Sequence, residues 1–381
     1  MSSPAPSAPP IPAFGGGSIA DVLPAVLSGL DVPGGRSCLP LVTGRQICLL
    51  LVDGLGWNAL RAAPDAAPFL SSLVDAPSSR VLTSVYPTTT PIALTSLGTG
   101  LAPGEHGVTG LYLRLPSGQV VNTLANPAET DMRVLQPRAT AFEHAVAAGV
   151  TVTRVGPASF DGPGLTEAAL RGGRYVAAES VGERVAAATA GVRRADTSLT
   201  YVYHGDLDAT GHRSGCGSDA WLQELVHVDR VAEQLADALP AAATLLITSD
   251  HGMVDVSADN RWDVATTPAL SDGVHAIAGD LRAIDVHTRP DAAADVLAAW
   301  RETLGEEFWV LSRAEAVDVG LYGPVVSDGV RPRIGDVVAA AIGDAAVVDS
   351  RLMPRPVLAL VGLHGSVTDD ELLVPLLVHT A

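Results

Sequence analysis

Lysine is missing from this sequence, so every basic side chain is an arginine. The 24 bases are outnumbered by 42 acids, and the chain of 381 residues has a formal charge of -18 at neutral pH. Such a charge repels a phosphate backbone or an anionic bilayer, which argues against a nucleic-acid scaffold and against a membrane-surface sensor. Chemistry on a phosphate group therefore requires a locally positive site.

Cysteine is also scarce, because only Cys38, Cys48 and Cys216 occur. Three scattered cysteines cannot supply a disulfide framework or a cysteine-type zinc site. No window reaches the roughly 20 uncharged apolar residues of a membrane-spanning helix, and the N-terminal residues lack the pattern of a secretory signal. We therefore expect a cytoplasmic protein without membrane partners. The sequence does not indicate the oligomeric state.

Short apolar runs alternate with amphipathic stretches along most of the chain. This rhythm is typical of an α/β protein with a mostly parallel sheet covered by helices on both faces. The clearest predicted strands are Ile47–Val52, Arg80–Val85, Val150–Val155, Leu199–Tyr203 and Thr244–Thr248. Predicted helices include Ala139–Ala148, Val181–Ala190 and Ser218–Leu239.

The rhythm changes over residues 255–350, where an apolar run from Val274 to Val286 precedes a helix opened by Pro290 and Asp291. We interpret these residues as a small α+β insertion, or cap, on a core formed by residues 18–254 and 351–381. The run Leu358–Leu363 is expected to return the chain to this core as a strand. Residues 1–17, rich in Pro, Ser and Gly, are predicted to be a disordered or loosely draped leader.

Acids and histidines follow several predicted strands directly. In open parallel sheets, ligands bind at the carboxyl ends of the strands. Asp208 and His212 are four residues apart, a spacing that places both on one face of a helical turn. Carboxylates and imidazoles gathered from separate strands predict a metal site. Its candidate ligands are Asp53, Asp208, His212, Asp250, His251 and His364.

A hydroxyl-rich segment, Pro87–Pro91, lies in sequence between Asp53 and Asp250. Pro91 suits the first position of a helix, which predicts Thr90 as the N-cap, at the positive end of the helix dipole. Beside a divalent cation this hydroxyl would lose its proton and become a nucleophile toward phosphorus. Thr88 and Thr89 are too close to be distinguished from Thr90 by composition.

Together these segments resemble the alkaline phosphatase superfamily, and most closely its type I phosphodiesterase and nucleotide pyrophosphatase branch. The matches occur in the expected order and span most of the chain. They are Asp53-Gly54, Pro87 through Thr90 to Thr99-Gly100, Pro103 with His106-Gly107, Asp208 with Gly211-His212, Ser249 through Met253, and Gly362 with His364-Gly365.

The resemblance implies an alkaline-phosphatase-like core, a small phosphorylated substrate and two divalent metal ions, most often zinc. One metal would be held by Asp208, His212 and His364. The other would be held by Asp53, Asp250 and His251, with Thr90 bridging toward it. The implied activity is hydrolysis of a phosphodiester or nucleotide pyrophosphate through a covalent phosphothreonine on Thr90.

One departure from the expected pattern leaves alternatives open. The resemblance leads us to expect an asparagine three residues after the nucleophile, where Ala93 stands. Loss of a donor to the phosphate costs about 3 kcal/mol in related settings, so the substrate can differ. A phosphomonoesterase or a phosphonate hydrolase on the same scaffold is one alternative, and a member that binds metal and phosphate without turnover is another.

Overall fold

The computed structural model describes residues 8–41, 44–125, 130–162 and 164–380. Its strands, in chain order, are β1 Gln46–Val52, β2 Arg80–Thr83, β3 Tyr112–Arg114, β4 Val120–Asn122, β5 Thr151–Gly156, β6 Arg174–Ala177, β7 Ser198–His204, β8 Ala243–Thr248, β9 Val254–Asp255, β10 Arg261–Asp263, β11 Val274–Gly279, β12 Ala283–Thr288, β13 Phe308–Ser312, β14 Val337–Ala341, β15 Ala346–Val348, β16 Gly362–Leu363 and β17 Leu373–Thr380.

The α-helices connect these strands and cover them. In chain order they are α1 Val22–Gly29, α2 Trp57–Ala62, α3 Pro68–Val74, α4 Thr90–Thr99, α5 Pro103–His106, α6 Met132–Leu135, α7 Ala141–Ala147, α8 Leu165–Ala169, α9 Val181–Val192, α10 Asp206–Ser214, α11 Asp219–Ala238, α12 Pro268–Ser271, α13 Ala293–Leu304, α14 Arg313–Asp318, α15 Arg355–Leu358 and α16 Asp369–Leu372.

The larger sheet has seven strands in the order β2-β17-β8-β1-β7-β5-β6. Strand β1 pairs in parallel with β7 and with β8, and β5 pairs in parallel with β6 and with β7. Strand β17 is the exception, because it runs antiparallel to both β8 and β2. The prediction of a mostly parallel sheet is therefore confirmed.

Both faces of this sheet are buried. Along β1, Ile47, Leu49 and Leu51 belong to one apolar cluster, which also includes residues of α1, α4 and α7. The alternate residues of β1 belong to a second cluster, with residues of α3, α9 and α11 on the opposite face. Successive side chains of a strand point to opposite faces of the sheet, and both faces are apolar here. The sequence of β1 is therefore one continuous hydrophobic run. The predicted cover of helices on both faces is confirmed.

A smaller sheet of six strands has the order β13-β14-β12-β11-β3-β4. Its own core contains Trp300 of α13 and Phe308, both buried, so helix and sheet pack together as an α+β unit. Strands β3 and β4 come from residues 112–122, outside the predicted insertion. The exact division of the chain into core and insertion remains a prediction.

The apolar run Val274–Val286 forms an antiparallel hairpin, β11 and β12, because Gly279 (φ 87°) and the next three residues reverse the chain. One predicted strand was wrong. The run Leu358–Leu363 is not a strand of the larger sheet. Helix α15 ends at Leu358, and only Gly362–Leu363 is extended, pairing with β9 in a separate ladder. The segment that rejoins the larger sheet is β17.

Part of the predicted leader lies against the body of the protein, whereas residues 1–7 lie outside the described residues. The Asp21 carboxylate accepts hydrogen bonds from the backbone amides of Gly15, Gly16, Gly17 and Ser18. These bonds fix the turn that precedes α1. Within the described ranges, no helix has the length and apolar character of a transmembrane span.

Candidate active site

Three adjacent strands, β8, β1 and β7, bring their carboxyl ends to one edge of the larger sheet. In the register of these strands Val52 lies beside His204, and Leu51 lies beside both Tyr203 and Thr248. The residues that follow β1 and β8 are therefore neighbours. The Gly54 amide donates to Asp250 Oδ1 at 3.2 Å, and the Leu55 amide donates to Ser249 Oγ at 2.9 Å. These bonds hold Asp53 and Asp250 side by side.

Thr90 lies beside this pair of acids. Its Oγ1 is 3.5 Å from Asp53 Oδ2 and 3.2 Å from His251 Nε2. Helix α4 begins at Thr90 itself, with Thr89 as the N-cap, so the prediction of Thr90 as N-cap was wrong by one residue. The helix starts earlier because Pro91 occupies its second position, and the Thr90 side chain is thus in the first turn.

The neighbouring threonines have other partners. Thr88 Oγ1 donates to the Ser366 carbonyl at 2.6 Å and accepts from the Gly365 amide at 3.0 Å. The Thr89 side chain lies near the carboxyl of Asp280 and lowers its pKa, although burial raises that pKa to about 6 overall. Among the three threonines in the described part of the chain, Thr90 alone has its hydroxyl within 3.5 Å of Asp53 and His251, so the structure distinguishes what composition could not.

Asp208, His212 and His364 form one group whose ligand atoms lie within 4.8 Å of one another. Asp208 and His212 are on α10, with 3.4 Å between Asp208 Oδ2 and His212 Nε2. His364 follows β16, and its Nε2 is 3.3 Å from that of His212. Two imidazole nitrogens at this distance repel each other as lone pairs unless a cation or proton lies between them.

Asp53, Asp250 and His251 lie next to the first group. His251 Nε2 is 3.5 Å from both Asp53 Oδ1 and Asp250 Oδ2. A second compact group joins Asp53 and His251 with Asp208, which therefore lies at the junction of the two sets. The ring of His251 stacks on that of His364 with centroids 3.7 Å apart. The structure thus brings all six predicted ligands and Thr90 together.

All three histidines point Nε2 into the site because their Nδ1 atoms face backbone carbonyls. Those carbonyls belong to Gly362, Gly252 and Thr88, at 2.7, 3.1 and 2.8 Å from His212, His251 and His364 respectively. A carbonyl oxygen can only accept, so each Nδ1 carries the proton and each Nε2 keeps a free lone pair. This is the arrangement that metal-binding histidines adopt.

Each carboxylate presents one buried oxygen without a hydrogen-bond partner within the described residues: Asp53 Oδ1, Asp208 Oδ1 and Asp250 Oδ2. Burial raises the pKa of Asp250 to about 6. Burial and the charge of Asp250 raise the pKa of Asp53 well above its usual value, and burial with Asp53 does the same for Asp208. Unpaired carboxylate oxygens at this density fit divalent cations, which would neutralise them.

The pKa values of His251 and His364 are shifted in the opposite direction. Burial lowers the pKa of His251 to about 4, and burial with the neighbouring imidazoles lowers the pKa of His364 well below its usual value. Both are therefore neutral at physiological pH, as ligands must be. The donor set of carboxylate oxygens and imidazole nitrogens suits zinc and other first-row metals.

The sequence analysis missed a hydroxyl donor in the site. Tyr203, in β7, donates from its hydroxyl to Asp53 Oδ2, and this bond lowers the pKa of the Asp53 carboxyl. Tyr203 reads as one apolar residue in a buried strand, so only the register beside Leu51 shows where it lies. Arg154, in β5, was missed for the same reason, because it also lies within a buried strand. It lines a cavity together with Thr90.

A third group of residues that could bind a metal consists of His204, Asp206 and Glu224. Its hydrogen bonding differs from that of the two groups above. Arg184 Nη1 lies 2.9 Å from His204 Nδ1, and a guanidinium can only donate. Nδ1 is therefore the acceptor, and Nε2 carries the proton toward Glu224 at 3.6 Å. The Nδ1 lone pair of His204 is therefore occupied by Arg184, and the ring has no lone pair free for a metal ion.

One family model and several solved structures match the chain. The model of the type I phosphodiesterase / nucleotide pyrophosphatase family matches residues 47–367. The structure resembles human ectonucleotide pyrophosphatase/phosphodiesterase 5 with a TM-score of 0.70 at 19% identity, over 88% of this chain and 87% of that one. It resembles the murine protein with a TM-score of 0.71 at 18% identity, over 88% of each chain.

A further solved structure is an inactive threonine-to-alanine variant of the murine protein in complex with AMP. It matches with a TM-score of 0.70 at 18% identity, over 88% of this chain and 87% of that one. No curated protein matches the chain by sequence. At such low identities the likeness to solved structures shows a shared fold.

Proposed function

The chain belongs to the type I phosphodiesterase / nucleotide pyrophosphatase family, and from this premise we propose that it is a metal-dependent phosphohydrolase that cleaves phosphodiester or nucleotide pyrophosphate bonds. The observation that carries the proposal is the position of Thr90 Oγ1, within 3.5 Å of Asp53 and His251. A hydroxyl so placed, beside two groups of unpaired metal-ligand atoms, is arranged for attack on phosphorus.

Two divalent cations, most suitably zinc, would be held by the two sets of side chains. Asp208, His212 and His364 form the first, and Asp53, Asp250 and His251 form the second with Thr90. The unpaired oxygens and the free Nε2 atoms support this assignment. When bound, such cations lower the pKa of the threonine hydroxyl and stabilise the charge that develops on attacking and leaving oxygens.

Thr90 would form a bond from Oγ1 to phosphorus while the bond to the leaving oxygen breaks. Asp53 Oδ2, 3.5 Å from the Thr90 hydroxyl, would accept its proton, because the Nε2 lone pair of His251 would be bound to the cation. The Thr90 amide has no hydrogen bond in the described residues and belongs to the first turn of a ten-residue helix, where free N–H groups favour phosphate oxygens. Water then cleaves the phosphothreonine and restores the hydroxyl.

The direct test is hydrolysis of bis(4-nitrophenyl) phosphate by the full chain after zinc loading, with metal content measured on the same sample. We expect turnover and about two zinc ions per chain. Thr90→Ala should lower kcat by about 10³-fold or more while zinc content stays the same, because the nucleophile is lost and the other ligands remain.

Thr99→Ala is the matched control, since it removes a hydroxyl at the other end of α4, where Thr99 Oγ1 donates to the Thr95 carbonyl. It should retain turnover. A Thr90→Ala variant that keeps most of its activity would show that the nucleophile is assigned wrongly.

The same assay decides between the related reactions. Ala93 is buried in α4 and supplies no side-chain donor to a phosphate, which keeps a phosphomonoesterase or a phosphonate hydrolase as a second candidate. Comparing 4-nitrophenyl phosphate, bis(4-nitrophenyl) phosphate and 4-nitrophenyl phenylphosphonate keeps the leaving group constant. Zinc binding without cleavage of any of the three would favour a non-catalytic member.

A further inference from the structure

A cavity opens beside Thr90 on the side of strands β5 and β7. Its wall is mainly apolar and aromatic, with one cationic side chain. The residues that matter here are Thr90, Leu94, Arg154, Phe160, Tyr175 and Tyr203. Tyr203 links the cavity to the metal-ligand groups through its hydrogen bond to Asp53. Phe160 packs edge-on against Tyr203 with ring centroids 5.5 Å apart.

Arg154 is a cation without a counter-ion in this cavity. The residue is 9% exposed, its Nε atom is buried, and no hydrogen bond or ion pair within 4 Å involves its guanidinium among the described residues. Its contact is with the ring of Tyr175, whose centroid lies 5.5 Å away. Asp161 and Glu167 act on it only at longer range. An unpaired buried cation destabilises the folded protein. An anion bound from outside the chain would pair with Arg154 and remove this destabilisation.

A second donor points to the same conclusion. Tyr201, also in the wall of the cavity, is buried, and its hydroxyl has no hydrogen-bond partner in the described part of the chain. By contrast, the hydroxyl of Tyr175 is satisfied by the Pro157 carbonyl at 2.7 Å. The cavity therefore contains two unsatisfied donors, Arg154 and Tyr201, and they need an acceptor that carries negative charge.

The in-line geometry of phosphoryl transfer shows which part of a substrate occupies the cavity. The leaving oxygen departs opposite the attacking Thr90 Oγ1. The cavity is lined by Thr90 and Tyr203, whereas Asp208, His212 and His364 do not line it. It therefore lies on the side of the nucleophile and receives the ester group that stays on phosphorus.

We propose that Arg154 is a specificity-determining residue that binds an anionic group, a carboxylate or a phosphate, on the retained ester substituent of the substrate. This inference rests on the proposed hydrolytic function and narrows its substrate class. The aromatic faces of Phe160 and Tyr175 would hold the body of the substituent, and Arg154 with Tyr201 would hold its charged end.

The test varies the retained group while the leaving group stays 4-nitrophenol. The three substrates are 4-nitrophenyl phenyl phosphate and its analogues with a 4-carboxyl or a 4-phosphono group on the phenyl ring. We expect kcat/KM of the zinc-loaded enzyme to be at least about tenfold higher for an anionic diester than for the neutral one. Whichever analogue is preferred identifies the anion as carboxylate or phosphate.

Arg154→Met should reduce this preference to about one, and Arg154→Lys should keep part of it. Arg174→Met is the matched control because Arg174 is an exposed arginine on the adjacent strand β6 and does not line the cavity, so the preference should be retained. Binding provides a readout without turnover. 4-Carboxyphenyl phosphate should bind more tightly than phenyl phosphate in calorimetry, and Arg154→Met should abolish the difference.

Equal rates for the three diesters in the wild-type enzyme, or an unchanged preference in Arg154→Met, would overturn the inference and leave Arg154 as packing against Tyr175. The Tm provides a further check. Arg154→Met should not lower it, because the variant removes an unpaired buried charge. Absence of turnover with every ester would refute the hydrolytic function instead, and the binding comparison would still test Arg154.

Discussion

At the scale of single residues, the orientation of the metal-ligand histidines depends on the main chain. His212, His251 and His364 each donate from Nδ1 to a backbone carbonyl. The direction of each Nε2 lone pair is therefore fixed by the path of the backbone rather than by a side chain that could be substituted. This pre-orientation reduces the reorganisation that cation binding requires.

Asp250 Oδ2 has no hydrogen-bond partner among the described residues, so substituting Asp250 should change stability in opposite directions with and without metal. Burial raises the pKa of Asp250 from 3.8 to about 6. A raised carboxyl pKa contributes stability that is complete below pH 3.8 and is lost as the pH rises through 6. Asp250→Asn removes this loss and keeps Oδ1 as acceptor for Gly54 and His251.

The metal-free variant should therefore be more stable than the wild type at pH 8, by up to about 3 kcal/mol, and equal to it near pH 4. With zinc present the order should reverse at pH 8, because a ligand is lost. Thermal unfolding across this pH range measures both effects. Asp196→Asn removes the same charge at an exposed position, and it should show neither effect. A metal-free Asp250→Asn protein that is less stable at pH 8 would contradict the assignment.

Residue type and position near strand ends select the six candidate ligands only as an ordered set, because His204 and Asp206 at the end of β7 interact with Arg184 instead. The same reasoning cannot find Tyr203 or Arg154. Both lie within buried strands, where an aromatic ring or a long aliphatic stem is ordinary core material. Their polar ends acquire a role only through contacts between strands, which the sequence does not show.

At the scale of elements, a buried ion pair joins the smaller sheet to the segment that carries His364. Arg282, in the turn between β11 and β12, donates from Nε and Nη2 to the two oxygens of Glu371 in α16, both at 2.8 Å. Both side chains are fully buried. Glu371 Oε1 also accepts from the Ser366 amide at 2.9 Å. The loop after His364 is thus tied to the smaller sheet.

Arg282→Met should lower the free energy of unfolding by about 3–5 kcal/mol, because Glu371 would remain as an uncompensated buried charge. Urea denaturation of the metal-free protein measures this. Arg230→Met breaks an exposed pair with Glu233 and should cost less than about 1 kcal/mol. Similar losses in the two variants would show that the Arg282 pair does not contribute as a buried bridge.

Elements with a strong period could be predicted to within a few residues, as β1, β7, β8 and α11 show. The hairpin of β11 and β12 has a local signal, Gly279-Asp280 between two apolar runs, but the sequence does not show which strands flank it in the sheet. The place of β3 in the smaller sheet depends on pairing between Tyr112 and Gly279, which are far apart in sequence. No local pattern encodes such a pairing.

At the scale of the whole molecule, the excess of acids predicts that the protein does not bind nucleic acids. With a formal charge of -18 and no lysine, the protein would not displace counter-ions from a DNA backbone. We expect no change in the fluorescence anisotropy of a labelled 20-base-pair duplex at physiological salt as the protein is added. A tight, salt-dependent complex would contradict this expectation and would require a basic surface.

The position of β17 in the larger sheet affects how the protein can fold during synthesis. This strand lies between β8 and β2, yet its residues, 373–380, are made after all the other strands. A nascent chain on the ribosome therefore carries two open sheet edges, on β8 and β2, until these last residues emerge. Open edges recruit foreign strands, so chaperone dependence and aggregation should be greatest in the interval after β8 has emerged and before β17 has emerged.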